Sequence, residues 1–142
     1  MIGTISIPAA HIHAQIGRGT SPAVLARGAG HYKGTAWPGH PGTIGLAGHD
    51  VTVVKTAAGD HVFGNLAIEY AKHHKMVGKV ITIHFRHHRY RYLITKQKVV
   101  SPYDYGILKG PKYGQRLVLT TCYPRFTAAK RLVTIAWRIF HH

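Results

Sequence analysis

Short apolar runs, cut apart by proline and glycine, make up most of this chain, and no stretch sustains a long helical period. That pattern confines it to a fold of many short strands. Residues 2–7 alternate until Pro8 stops them, and residues 12–16 continue as a second strand. Thr43 to Gly48 is a strand of small residues that delivers His49 at its end. In Lys79 to Phe85 the alternation puts Ile81, Ile83 and Phe85 on one face. Arg86 to Arg89 forms a turn, after which Tyr90, Tyr92 and Ile94 share a face with Arg89 and Arg91 opposite. That second strand of the hairpin extends through Val99-Val100 to Pro102. Residues 103–114 form a loop with a short helical turn, and strands 116–121 and 131–139 close the chain. Helix is confined to one or two turns at 20–28 and a short segment within 63–72. In the first, Ser21 caps, Pro22 suits the opening turn and Gly28 suits the end. The expectation is an all-β fold of about eight short strands in a closed or nearly closed barrel with short helical turns.

Charge narrows the chemistry. Nineteen Lys and Arg face only four acids, Asp50, Asp60, Glu69 and Asp104, for a net charge of +15. A glycosidase needs two positioned carboxylates, and calcium needs several oxygen ligands, so both fit poorly. A Cys-His pair oriented by a carboxylate is equally hard to assemble, whereas arginine is abundant. The surplus of base implies attraction to anionic surfaces such as nucleic acid, anionic lipid or wall polyanions. Hydrophobic residues make up 45% of the chain, so it folds rather than stays disordered. At 142 residues it is expected to be one domain spanning 1–142. No apolar run is long enough to span a membrane, and the alternating N-terminus is no signal peptide. Either the protein is cytosolic or a targeting segment lies outside this chain; Met1 directly before a strand points to the second.

A single cysteine excludes an internal disulfide and any Cys-rich zinc site. Free cysteines are usually buried as small hydrophobes. Cys122 is placed differently. It follows Leu117-Val118-Leu119-Thr120-Thr121 at the end of a strand, and Tyr123-Pro124-Arg125 comes next. An eight-residue loop, 123–130, leads to Arg131 at the start of the returning strand. A loop that short sets a thiol beside a guanidinium by backbone alone. A thiolate is a strong nucleophile, and a guanidinium is a permanent charge with several donors. The missing part is a proton carrier, and His49, at the end of its own strand with small residues around it, can supply one.

These pieces carry a family resemblance. Val118-Leu119-Thr120-Thr121-Cys122 resembles the sortase signature Thr-Leu-x-Thr-Cys, and Leu46-Ala47-Gly48-His49 resembles the sortase histidine motif. Residues 22–28, 30–39 and 122–133 are similar to the matching segments of class E sortases, and the resemblance extends from Ile5 to about Ala136. There are departures: Val118 stands where the signature has Thr, Asp50 where Arg is frequent after the histidine, and Trp37 where Leu is frequent. The resemblance implies a sortase-type eight-stranded barrel and a membrane-anchored cysteine transpeptidase at the outer cell surface, its N-terminal anchor not present in this chain. It implies cleavage of a Leu-Pro-x-Thr-Gly or, for class E, Leu-Ala-x-Thr-Gly sorting motif between Thr and Gly in secreted proteins, with transfer to a cell-wall amine and no cofactor. Cys122 is the implied nucleophile and His49 the implied proton carrier. Arg131 is implied to hold substrate and, with backbone N–H groups near Cys122, to stabilise the oxyanion. Tyr32 and Thr121 are expected to contact the substrate, Tyr32 favouring Ala over Pro. Arg125, three residues past Cys122, is the rival for the arginine role.

Other readings stay open. A pilin-polymerising sortase is one, and a basic β-barrel that binds polyanions without catalysis is another. No metal is expected: His73, His74, His84, His87 and His88 are interspersed with arginines, poor company for a cation. Arg86 to Tyr92 interleaves bases and aromatics, as nucleic-acid binders do, but the alternation fits a hairpin with tyrosines inward and arginines in water. No specific nucleic acid is expected.

Overall fold

The computed structural model describes residues 2–49, 62–73, 75–103, 105–110, 114–123 and 129–140. Eight strands follow one another in the chain: β1 Gly3–Ile7, β2 Ile12–Arg18, β3 Ala29–His31, β4 Gly42–Ala47, β5 Val80–Phe85, β6 His88–Val100, β7 Gln115–Tyr123 and β8 Lys130–Ile139. They close into a barrel in the order β1-β2-β3-β4-β7-β8-β6-β5. β2–β3 and β4–β7 are parallel, and the other six pairings are antiparallel. Closure leaves no free sheet edge. The interior is filled by alternate residues, among them Ile5, Ile7, Ile44, Leu46, Ile81, Ile83, Leu117 and Leu119, all at most 1% exposed. The hairpin resolves as expected, with Tyr92 and Ile94 buried and Arg89 exposed.

Helix is scarce, also as expected. α1 is Pro22–Leu25, and Ser21 Oγ accepts from the Val24 N–H at 3.4 Å. α2 is Gly64–Ala71, and two 3-10 turns lie at Pro8–Ala10 and Tyr105–Leu108. Asn65 ties α2 to the first of these by donating to the Ala10 carbonyl at 2.7 Å.

Four local expectations change. Ala26, not Gly28, closes α1; a Cβ on Gly28 would lie 2.4 Å from the Gln15 carbonyl oxygen, so glycine serves close backbone approach there. The turn after β5 is only Arg86-His87, both in left-handed conformation (φ 50° and 66°), and β6 starts at His88. Strand pairing runs past Cys122 to Tyr123↔Lys130, which shortens the connection to 124–129; tyrosine suits a pleated strand. β3, three residues long, has too little sequence to show a period and was not expected.

Candidate active site

β4, β7 and β8 are neighbours in the barrel, and each brings one expected residue to the same rim. The parallel register of β4 and β7 reaches Ala47↔Thr120, and the Gly48 N–H donates to the Thr120 carbonyl at 3.1 Å. Two residues beyond that pair come His49 on one chain and Cys122 on the other. On the far side of β7, Cys122 is the cross-strand partner of Arg131. His49, Cys122 and Arg131 thus form a row across three adjacent strands.

Leu117 and Leu119 belong to the core of the barrel, so Val118 and Thr120 are in step on the other face of β7. Ile44 and Leu46 fill the core in the same way, leaving Gly45 and Ala47 in step with His49. His49 is half-buried, its carbonyl accepting from the Phe63 N–H at 2.9 Å. Gly48 lets the chain pass: a Cβ there would lie 2.5 Å from the Phe63 ring. Arg131 is half-buried, and one Nη donates to the Lys130 carbonyl at 3.1 Å.

Beside this row Tyr32 and Leu108 pack over the buried Gly45, so closely that a Cβ on Gly45 would approach them to 3.0 and 2.9 Å. Tyr32 is pinned by a hydrogen bond between its hydroxyl and Thr120 Oγ1 at 2.7 Å. Thr35 Oγ1 donates to the Tyr32 carbonyl at 2.7 Å and accepts from the Gly45 N–H at 3.1 Å, fixing the segment that carries Tyr32. Leu108 is held through Arg116, which donates to Thr43 Oγ1, the Ile107 carbonyl and the Lys109 carbonyl, each at 2.9 Å. Burial lowers the Arg116 pKa from its ordinary value, and those three acceptors offset the lost hydration.

Tyr32 is thus held to Thr120, two residues before Cys122. Thr121, expected to contact substrate, is instead in step with Leu117 and Leu119 and 4% exposed, and its hydroxyl finds no partner among the described residues. The other face of β7 carries Thr120, the partner of Tyr32, which the sequence reading passed over. Its signal was there, two residues before Cys122. Arg125 lies outside the described residues. Among the described residues, no group of three or more His, Cys, Asp or Glu gathers in a way that could hold a metal, and no helix is long and apolar enough to cross a membrane.

A family model described as "Sortase domain" matches residues 5–139. The chain is 30% identical over 122 residues to "Sortase D" of Bacillus subtilis, covering 86% of this chain and 54% of that protein. It thus spans about half the length of the curated relative it matches. Among solved structures, a lid mutant of sortase A from Corynebacterium diphtheriae superposes with a TM-score of 0.85 at 28% identity, over 99% of this chain and 71% of the other. A pilus-related sortase C of Group B Streptococcus gives 0.84 at 27% identity, over 99% and 68%.

Proposed function

This chain belongs to the sortase family, and from that premise we propose that it is a cysteine transpeptidase working at the outer face of the cell membrane. On this reading it cleaves a sorting motif of the Leu-Ala-x-Thr-Gly or Leu-Pro-x-Thr-Gly type between Thr and Gly. The observation that supports the proposal is the backbone register that brings His49, just past β4, Cys122 on β7 and Arg131 on β8 to one rim.

The chemistry follows from the three groups. The Cys122 thiolate attacks the threonine carbonyl carbon, and the carbonyl oxygen becomes an oxyanion. Arg131 offers fixed positive charge and paired N–H donors to that oxygen or to the substrate backbone. The protonated His49 imidazole gives its proton to the glycine nitrogen as the C–N bond breaks, leaving a thioester on Cys122. Neutral His49 then takes a proton from an incoming amine. That amine attacks the thioester carbonyl and expels the thiolate. No carboxylate is needed, in keeping with the four acids of the chain.

We assign the Ala-or-Pro choice to Tyr32, which its hydrogen bond to Thr120 ties to the strand bearing Cys122. The acceptor is a cell-wall amine. The test is mass spectrometry of the protein with each motif peptide and a glycine or diaminopimelate-type amine, beside Cys122→Ala. A transfer product missing from the variant supports the reading. No cleavage of either peptide would overturn the assigned motif.

A further inference from the structure

We propose that the opposite rim of the barrel carries a second site, one that binds a phosphate ester through Arg18, Arg86 and His40 over a floor of Trp37 and Phe85. These residues, with Ile2, line a cavity of about 260 Å³. Strand polarity places it. Ile2 precedes β1, Arg18 ends β2, Phe85 ends β5, and Trp37 and His40 lie between β3 and β4. Each element contributes at the end away from that holding His49, Cys122 and Arg131.

The floor is built from stacked rings. His31 and Trp37 stack with centroids 3.8 Å apart and 10° between planes, and Trp37 and Phe85 follow at 5.8 Å and 16°. Arg18 lies over Trp37 at 5.4 Å from the ring centroid, and Arg86 over Phe85 at 5.2 Å. Aromatic faces orient guanidinium groups without consuming their N–H donors. Arg18, Arg86 and His40 are all exposed at the rim. Among the described residues the only acid is Glu69, on α2, which is tied to the Pro8–Ala10 turn at the other rim. No carboxylate among the described residues therefore competes for these donors.

The turn itself points to a ligand. Arg86 and His87 take the two left-handed positions of a two-residue hairpin turn, where Asn-Gly suits the backbone far better. Keeping two bulky side chains in that strained conformation makes sense where the turn aims Arg86 at the cavity, since such strain gathers at binding sites. Two guanidiniums and an imidazole around one cavity match the charge and tetrahedral oxygens of phosphate better than a single flat carboxylate. The cavity holds more than a phosphate, and Trp37 and Phe85 offer apolar faces to the C–H groups of a small polyol carried on it.

Trp37 reports the site directly once the other tryptophan is removed as Trp137→Phe. Titration of that variant with glycerol phosphate is expected to change Trp37 emission saturably, whereas glycerol does not. Arg18→Gln/Arg86→Gln is expected to weaken binding at least tenfold, while Lys72→Gln/Lys79→Gln, which removes the same charge elsewhere, leaves it within about twofold. A response to phosphatidylglycerol vesicles alone, lost in Arg18→Gln/Arg86→Gln, would identify the ester as a lipid headgroup; a response to glycerol phosphate identifies a soluble one. Arg86→Asn/His87→Gly should raise the melting temperature while losing the response. No response to either probe, or one that survives Arg18→Gln/Arg86→Gln, overturns the proposal.

Discussion

Cys122 on β7 and Arg131 on β8 are cross-strand partners. Eight residues separate them in sequence, yet strand pairing alone makes them neighbours. A rigid ladder, rather than a loop, thus sets the backbone of Arg131 against that of Cys122, the proposed nucleophile. Arg131→Ala is expected to slow thioester formation about 10²–10³-fold, the usual cost of removing one oxyanion donor. Arg131→Lys keeps the charge but not the forked donors and should recover only part of it. Arg125→Ala should matter far less. Single-turnover acylation followed by mass spectrometry compares the three, and a larger loss in Arg125→Ala would reverse the assignment.

Gly48 and Phe63 form a tight contact directly behind His49. Gly48→Ala puts a methyl group within 2.5 Å of the Phe63 ring, and this ring is fully buried. The expected cost is about 1–3 kcal/mol of stability, typical of overpacking, together with a displaced His49 and lower kcat. Adding Phe63→Leu should restore part of both. Thermal melts and peptide turnover measure the pair, and simple additivity of the two substitutions would refute the coupling.

The Tyr32–Thr120 hydrogen bond joins the segment that carries Tyr32 to the strand that bears Cys122. Tyr32→Phe and Thr120→Val each remove it, at a cost of about 1 kcal/mol. Both should narrow the preference between Leu-Ala-x-Thr-Gly and Leu-Pro-x-Thr-Gly peptides in kcat/KM. An unchanged ratio in both variants would remove Tyr32 from the specificity role.

Tyr92 is fully buried, its hydroxyl has no partner among the described residues, and burial pushes its pKa well above the usual tyrosine range. Its phenol therefore stays neutral at any ordinary pH. Tyr92→Phe keeps the ring and drops the stranded donor, so stability should hold or rise by about 1 kcal/mol. A clear fall in the urea midpoint would show that the hydroxyl is satisfied after all.

His31 is 3% exposed and stacked on Trp37, and its Nε2–H donates to the Ala36 carbonyl at 2.8 Å. Burial lowers its pKa below the ordinary 6.5; the Arg18 charge adds to this, and the Ala36 bond opposes it. Above pH 6.5 folded and unfolded chains both carry a neutral ring, and the stability is complete. As pH falls below 6.5 the unfolded chain binds a proton that the folded one refuses, so stability declines until the folded pKa is passed. Melting temperatures of wild type and His31→Phe between pH 7.5 and 5 should diverge in that direction. Parallel curves would contradict it.

Much of the barrel was legible because a strand's side-chain period survives in sequence. Ile81-x-Ile83-x-Phe85 and Tyr90-x-Tyr92-x-Ile94 announce their hairpin, and both pair as read. β3 was not legible, since three residues cannot carry a period. Thr121 and Thr120 look equivalent in sequence. Only the parity set by Leu117 and Leu119 sends the first into the barrel and the second to Tyr32 on the other face.

By itself the sequence determined the residue types and their places: one thiol, few acids, a histidine after small residues and an arginine after a short connection. Those are local facts, because composition bounds chemistry and alternation writes strands. The tertiary structure decided which strands lie side by side. β4 and β7 are far apart in the chain, and their parallel pairing is set by closing a barrel around a shared core, a long-range condition no local window contains. That pairing brings His49 and Cys122 to one rim. The same closure gathers Arg18, Trp37 and Arg86, from three separate segments, around a cavity at the other.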